Sequence, residues 1–206
     1  WIGINGFGVL SGLTNRADIK SKPGRMSRGA IIMQALERKS AFLALEYMRG
    51  IRGEELNGFN MIIVDALNAF LLRGTGENIS IASVANSVWA ITNLGIGDSV
   101  KEENARRVNN ILKLWRDKKT AGQKPTPALL TQFLDIHDEW RHGTCISEPE
   151  KNYGTKSSSI ICLEDQVNNK EWHYWHRERP SFTDHTCQAD FAPKITLPIK
   201  QNPQPG

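Results

Sequence analysis

Residues 1–16, WIGINGFGVLSGLTNR, decide how the chain starts to fold. Apolar positions on either side of Gly6-Phe7-Gly8 alternate in the manner of strands, and the two glycines tolerate the backbone angles that a tight reversal demands. The stretch reads as two short β-strands around a Gly-rich turn. Residues 59–74, FNMIIVDALNAFLLRG, read as a second hairpin: an apolar run to Val64, a turn over Asp65 to Asn68, and a return strand to Leu72.

Helices are expected between the hairpins. A basic loop, KSKPGRMSRG (20–29), leads to Ser27 as an N-cap, and RGAIIMQALERKSAFLALEYMRGI (28–51) carries apolar residues at helical spacing. The pattern divides at Lys39-Ser40 and ends at Gly50 and Gly53. SVWAITN (87–93) reads as a further strand that stops at a turn containing Gly95 and Gly97. DSVKEENARRVNNILKLWRDKK (98–119) is an amphipathic helix whose basic end suits the helix dipole. Thr126 caps and Pro127 opens another helix, PALLTQFLDIHDEW (127–140). SSSIICLED (157–165) and EWHYWHRE (171–178) read as strands joined by a polar turn, and the tail from Ala192 is Pro-rich with little left to pack. Strand pairs, helices and strand pairs again indicate an α+β layered fold.

The chain's 206 residues, 39% of them hydrophobic, suit one domain with a real core, expected over residues 1–192 with a tail at 193–206. A charge of +4 and a pI near 9.0 are mildly basic, but cations and carboxylates interleave, which describes a solvated surface and no specific nucleic-acid partner. Cys145, Cys162 and Cys187 are an odd number without framework spacing, which points to a reducing compartment such as the cytoplasm. No apolar run reaches roughly 18 residues, so no membrane span is expected. Trp1 is followed directly by strand-like sequence, and the expectation is a chain that is processed or lacks its true beginning.

HDEWRHGTC (137–145) has the residue types of acid–base RNA cleavage. It resembles the His-Gly-Thr-Cys segment of the acid ribonucleases through His137, Arg141, His142, Gly143, Thr144 and Cys145. That mechanism needs a second histidine motif upstream, and no histidine precedes His137. A ribonuclease working through His137 and His142 is therefore the minor alternative, and the segment reads as an exposed helix end with Gly143 as its stop. No metal site is expected: His137, His142, Cys145, His185 and Cys187 include no i, i+4 histidine pair and no Cys-x-x-Cys. WHYWHRE (172–177 and Glu178) places Trp172, Tyr174 and His176 on one strand face and His173 with Trp175 on the other. A flat cofactor such as haem could stack there, but a packed strand explains the pattern without one.

GLTNR and AITNLG each end a strand in Thr-Asn. Asparagines at strand ends can aim carboxamide N–H groups into one cleft, as oxyanion stabilisation requires. The plainer reading is two asparagines in turns. Taken in order, WIGINGFGVLSGLTNR, SRGAIIMQAL, NGFNMIIVD, VWAITNLGIGD and YGTKSSSIICLED resemble the NRDE family, whose eukaryotic members are the Transport and Golgi organisation protein 2 relatives. The resemblance covers roughly residues 1–190 as an ordered series, which no single motif could supply.

That family is related to the linear-amide C–N hydrolases, and the resemblance implies an N-terminal-nucleophile fold: an αββα sandwich of two antiparallel sheets between helical layers. It implies that Asn15 and Asn93 hold the places of two oxyanion-contacting asparagines. A ligand in their cleft is then expected to meet Arg16, Arg28, Tyr153, Thr155 and Ser157. The nucleophilic Cys of the hydrolases is expected upstream of Trp1, and Cys145, Cys162 and Cys187 cannot replace it, lacking a free amine beside the thiol. The expected function is a ligand-binding or trafficking protein, without a tightly held cofactor but with haem or lipid as candidate ligands. The alternative is a Cys-dependent amide hydrolase or acyltransferase acting on a small amide substrate.

Overall fold

A computed structural model describes the chain except for residues 85–87, 94, 97–101, 138–142, 167–168, 179–190 and 200–206. The chain divides into two compact units, Trp1–Lys101 with Pro198–Gly206, and Glu102–Leu197. The architecture is α+β, with antiparallel sheets and helices in both units.

The first unit is organised by an antiparallel five-stranded sheet in sequence order: β1 (Ile2–Ile4), β2 (Leu10–Asn15), β3 (Phe59–Val64), β4 (Ala69–Gly74) and β5 (Ile79–Ser83). Both expected hairpins are present. Gly8, at φ +88°, makes the first reversal, where a side chain would be strained. Register places Leu13, Met61, Leu72 and Ile81 in one row across the sheet. Together with Phe59 and Ile63 they bury against Ile31, Ile32 and Ala35 of α1 (Arg28–Leu36) and Ala44, Leu45 and Met48 of α2 (Ala41–Arg49). Each large side chain so buried contributes about 1.5–3 kcal/mol.

The helices start where the hydroxyls stand. Ser27 Oγ accepts from Ala30 N at 3.1 Å and Ser40 Oγ from Leu43 N at 3.2 Å, dividing the helical stretch as its sequence predicts. Two polar side chains tie helices to turns. Asn5 donates to the carbonyls of Leu36 and Arg38 while accepting from the amides of Phe7 and Val9. The Asp65 carboxylate accepts from Ala41 N, Leu67 N and Asn68 N, joining the start of α2 to the β3–β4 turn.

Two elements of this unit differ from expectation. β5 has only Ile79 and Ile81 facing the core, too short an alternation to stand out between the β4 turn and the residues that follow. Of the strand expected over residues 87–93, Ser87 lies outside the described residues, Val88 and Trp89 are exposed and outside any strand, and Ile91–Thr92 form β6, paired with β7 (Gly95–Ile96).

In the second unit, α3 (Glu102–Thr120) and α4 (Pro127–Leu134) precede two short paired strands, β8 (Ser147–Glu148) and β9 (Tyr153–Gly154). A long hairpin follows, β10 (Ser157–Gln166) with β11 (Asn169–Glu178). Thr126 caps α4, accepting from Leu129 N at 3.2 Å. The helix stops at Leu134, well short of Trp140, so Gly143 is not its stop. Asp135 leaves the helix to pair with Arg177, a guanidinium 4% exposed that would be costly to bury alone. Thr144 Oγ1 then donates to Phe133 O and Cys145 N to Ile136 O, satisfying carbonyls at and beyond the helix end. The stretch expected to leave little to pack supplies β12 (Ile195–Pro198), the third strand beside β11.

One glycine gives a direct test of the packing. Gly74 lies opposite Phe59, and a Cβ there would stand 2.3 Å from the Phe59 ring in the closed core. Gly74→Ala is expected to lower unfolding stability by about 1–3 kcal/mol through overpacking, read as a fall in the urea midpoint at unchanged slope.

Candidate functional site

The β2 end that carries Asn15 is held by a carbonyl from outside the sheet. Thr92 O accepts from Thr14 Oγ1 at 3.0 Å and from Asn60 Nδ2 at 2.8 Å, and Ala17 N donates to Asn93 O at 2.8 Å. The β6 segment is thereby docked along the ends of β2 and β3, so the backbones carrying Asn15 and Asn93 meet at one end of the sheet. Both side chains are exposed there. Asn60 is fully buried and Oδ1 has no hydrogen-bond partner; Arg73, opposite it in register, has a buried Nε in the same condition.

Two arginines reach the same end. Arg16 N donates to Gly58 O at 3.2 Å, and the Arg28 guanidinium reaches that carbonyl at 3.3 Å and Ser21 Oγ at 3.0 Å. Arg16 is 6% exposed and grips Asp18 through Nε and Nη2. Arg16 Nη1 and Arg28 Nε are buried without a hydrogen-bond partner. Gly58 is required by the approach of Ile19, whose Cβ would lie 2.9 Å from a Cβ at position 58. The structure thus brings Asn15, Asn93, Arg16 and Arg28 together. Residue order alone does not reveal the contributions of Asn60 and Gly58; the Asn60 signal is a lone polar residue in the apolar run FNMIIV.

Tyr153, Thr155 and Ser157 belong to the second unit. Thr155 Oγ1 is a loop staple, donating to Thr144 O at 3.2 Å and accepting from Ile146 N at 3.0 Å. Tyr153 is half exposed and Ser157 is exposed at the start of β10. On β11, Tyr174 and His176 stack on one face, as the alternation predicts, with ring centroids 5.9 Å apart. Ser159 Oγ lies 2.9 Å from His176 Nδ1, a pairing that follows from hairpin register and that residue order alone does not reveal. His137 is exposed beyond α4; His142, His185 and Cys187 fall outside the described residues.

The two described cysteines differ in state. Cys145 is disulfide-bonded, against the reduced state inferred from cysteine number. Cys162 is free, and burial, reinforced by the Glu164 carboxylate, pushes its thiol up from the ordinary value, away from nucleophilic character. Among the described residues, no three or more His, Cys, Asp or Glu side chains gather as a metal site would need, and no helix is long and apolar enough to cross a membrane.

Fold and site together define an α+β protein of antiparallel sheets with an asparagine- and arginine-bearing sheet end. Residues 1–178 match the sequence profile of Transport and Golgi organisation 2, and the chain belongs to that family. No match was found among curated proteins.

Asn60 is the test of how this end is built. Asn60→Ala removes a donor that Thr92 O shares with Thr14 and leaves a gap in a buried position. The expected result is a loss of about 1–3 kcal/mol and faster amide hydrogen exchange over residues 91–96 than over α1, read by mass spectrometry.

Proposed function

We propose that this is a ligand-binding or trafficking protein on an N-terminal-nucleophile type of scaffold, with its ligand held at the Asn15–Asn93 end of the five-stranded sheet. The observation that carries the reading is the gathering there of exposed carboxamides and of guanidinium groups with unused donors. Carboxamide and guanidinium N–H groups bind oxygen acceptors, and a sheet edge holds them in fixed positions at little reorganisation cost. Haem, with its two carboxylates, and lipids, with anionic headgroups, are ligands of that kind. Family membership supports a role in transport or organisation. The same asparagine pair could steady an oxyanion, which is what the alternative, a Cys-dependent amide hydrolase or acyltransferase, would need.

Titration of the full chain with haemin, followed in the Soret band, and with a fluorescent fatty acid tests the reading. Saturable binding of at least one probe is expected, weakened about tenfold or more in an Asn15→Ala/Asn93→Ala variant of unchanged Tm. Absence of saturable binding of either probe, or equal binding by the variant, would overturn it.

A further inference from the structure

The β10–β11 hairpin of the second unit changes character along one face. Toward the turn the opposed pairs are Leu163 with Trp172 and Ile161 with Tyr174; at the open end they are Ser159 with His176 and Ser157 with Glu178. A strand face built only for packing stays apolar along its length, whereas this one passes from an apolar row to hydroxyls, an imidazole and a carboxylate.

Four of these side chains make one directed chain of contacts. The Tyr174 hydroxyl lies 3.2 Å from Ser159 Oγ, Ser159 Oγ lies 2.9 Å from His176 Nδ1, and His176 Nε2 lies 3.5 Å from Glu178 Oε1. One direction of donation suits every member. The phenol donates to the serine oxygen, the serine hydroxyl donates to Nδ1, and Nε2–H faces the carboxylate. The Tyr174 ring flanks the imidazole at an interplanar angle of 12°. Ser159 is part-buried and His176 is 31% exposed, so the pair is held in place and still reached from solvent.

We propose that Ser159 and His176 form a nucleophilic site that cleaves carboxylic esters with short apolar acyl groups. A serine activated by an imidazole, itself facing a carboxylate, is recognised by geometry and roles and not by its place in the chain; here the two ring nitrogens exchange the parts they have in the serine-protease triad. Ser159 Oγ adds to the ester carbonyl carbon while its proton passes to His176 Nδ1. The Tyr174 hydroxyl, beside the attacking oxygen, donates to the oxyanion that forms. Collapse of the adduct breaks the bond to the alcohol oxygen, which leaves with the proton from Nδ1, and the acyl group stays on Ser159. Water then adds to the acyl-serine, with His176 again taking the proton, and the carboxylic acid departs as the serine hydroxyl is restored. Glu178 offsets the charge that the imidazole carries in each step, by less than a buried carboxylate would, since it is 80% exposed. Ile161 and Leu163, half-buried on the same face, are the apolar surface for the acyl group. This activity goes beyond the ligand reading above, whose residues lie in the first unit.

The test uses the full chain with two probes: hydrolysis of p-nitrophenyl butyrate, and covalent labelling by a fluorophosphonate with the labelled residue identified by peptide mass spectrometry. Ester turnover and an adduct on Ser159 are expected. Ser159→Ala is expected to abolish both, and His176→Gln to slow both about a hundredfold or more. Ser158→Ala, one residue away with its side chain on the other face of the strand, is expected to leave both unchanged. The labelled residue is read on the unaltered chain, so it decides the question even where a variant lowers Tm. No adduct, an adduct on another residue, labelling at unchanged rate in His176→Gln, an equal loss in Ser158→Ala, or an adduct without ester turnover would overturn the proposal.

Discussion

The Thr92 carbonyl is the point on which the candidate site depends. It takes one hydrogen bond from Thr14 at the end of β2 and one from Asn60 at the start of β3. Together with the Ala17 N–Asn93 O hydrogen bond, these donors hold the short β6–β7 hairpin, whose own pairing covers two residue pairs. Two-stranded pieces of that size are not stable alone, so the docking supplies the order. Asn60 contributes from a fully buried position inside a strand whose neighbours are Phe59 and Met61. An apolar residue there would pack well and leave Thr92 O with one donor fewer, so local stability is traded for the placement of Asn93.

The same end of the sheet shows a second conflict between stability and arrangement. Arg16 and Arg73 bury guanidinium atoms without partners, and Arg28 opens a helix at the end where a cation is least favoured. At the opposite end single side chains serve several backbone groups each, Asn5 four and Asp65 three. Arg38 at the Asn5 end also buries an unpartnered Nε, but the Asn15–Asn93 end gathers several such atoms. Proteins that break local rules in a cluster tend to do so where they function.

Much of the fold was legible in residue order because its signals are local. Gly8, Ser27, Ser40, Thr126 and Pro127 act on their own neighbours, and the elements they start or end appear where the sequence places them. What was not legible depends on distant partners. α4 ends at Leu134 because Asp135 answers Arg177, some forty residues on, and β12 exists because β11 offers an edge. β6 is short because its order comes from Thr14 and Asn60, not from its own apolar residues. For the site, the paired Thr-Asn strand ends drew attention to Asn15 and Asn93, and their backbones do meet. The roles of Asn60 and Gly58 needed the register of the sheet, and the histidine-rich HDEWRHGTC, the more conspicuous motif, leads through Thr144 and Cys145 to the closure of α4.

The central claim is that ligands bind at the Asn15–Asn93 end of the first unit. Chemical-shift mapping of the ¹⁵N-labelled chain during titration with a bound ligand tests it most directly. The account predicts that the largest changes fall on the amides of Arg16, Arg28, Gly29, Gly58 and Asn93 and on the side-chain amides of Asn15 and Asn93. Changes confined to the turn around Asp65 at the far end of the sheet, or to β10 and β11, would contradict it.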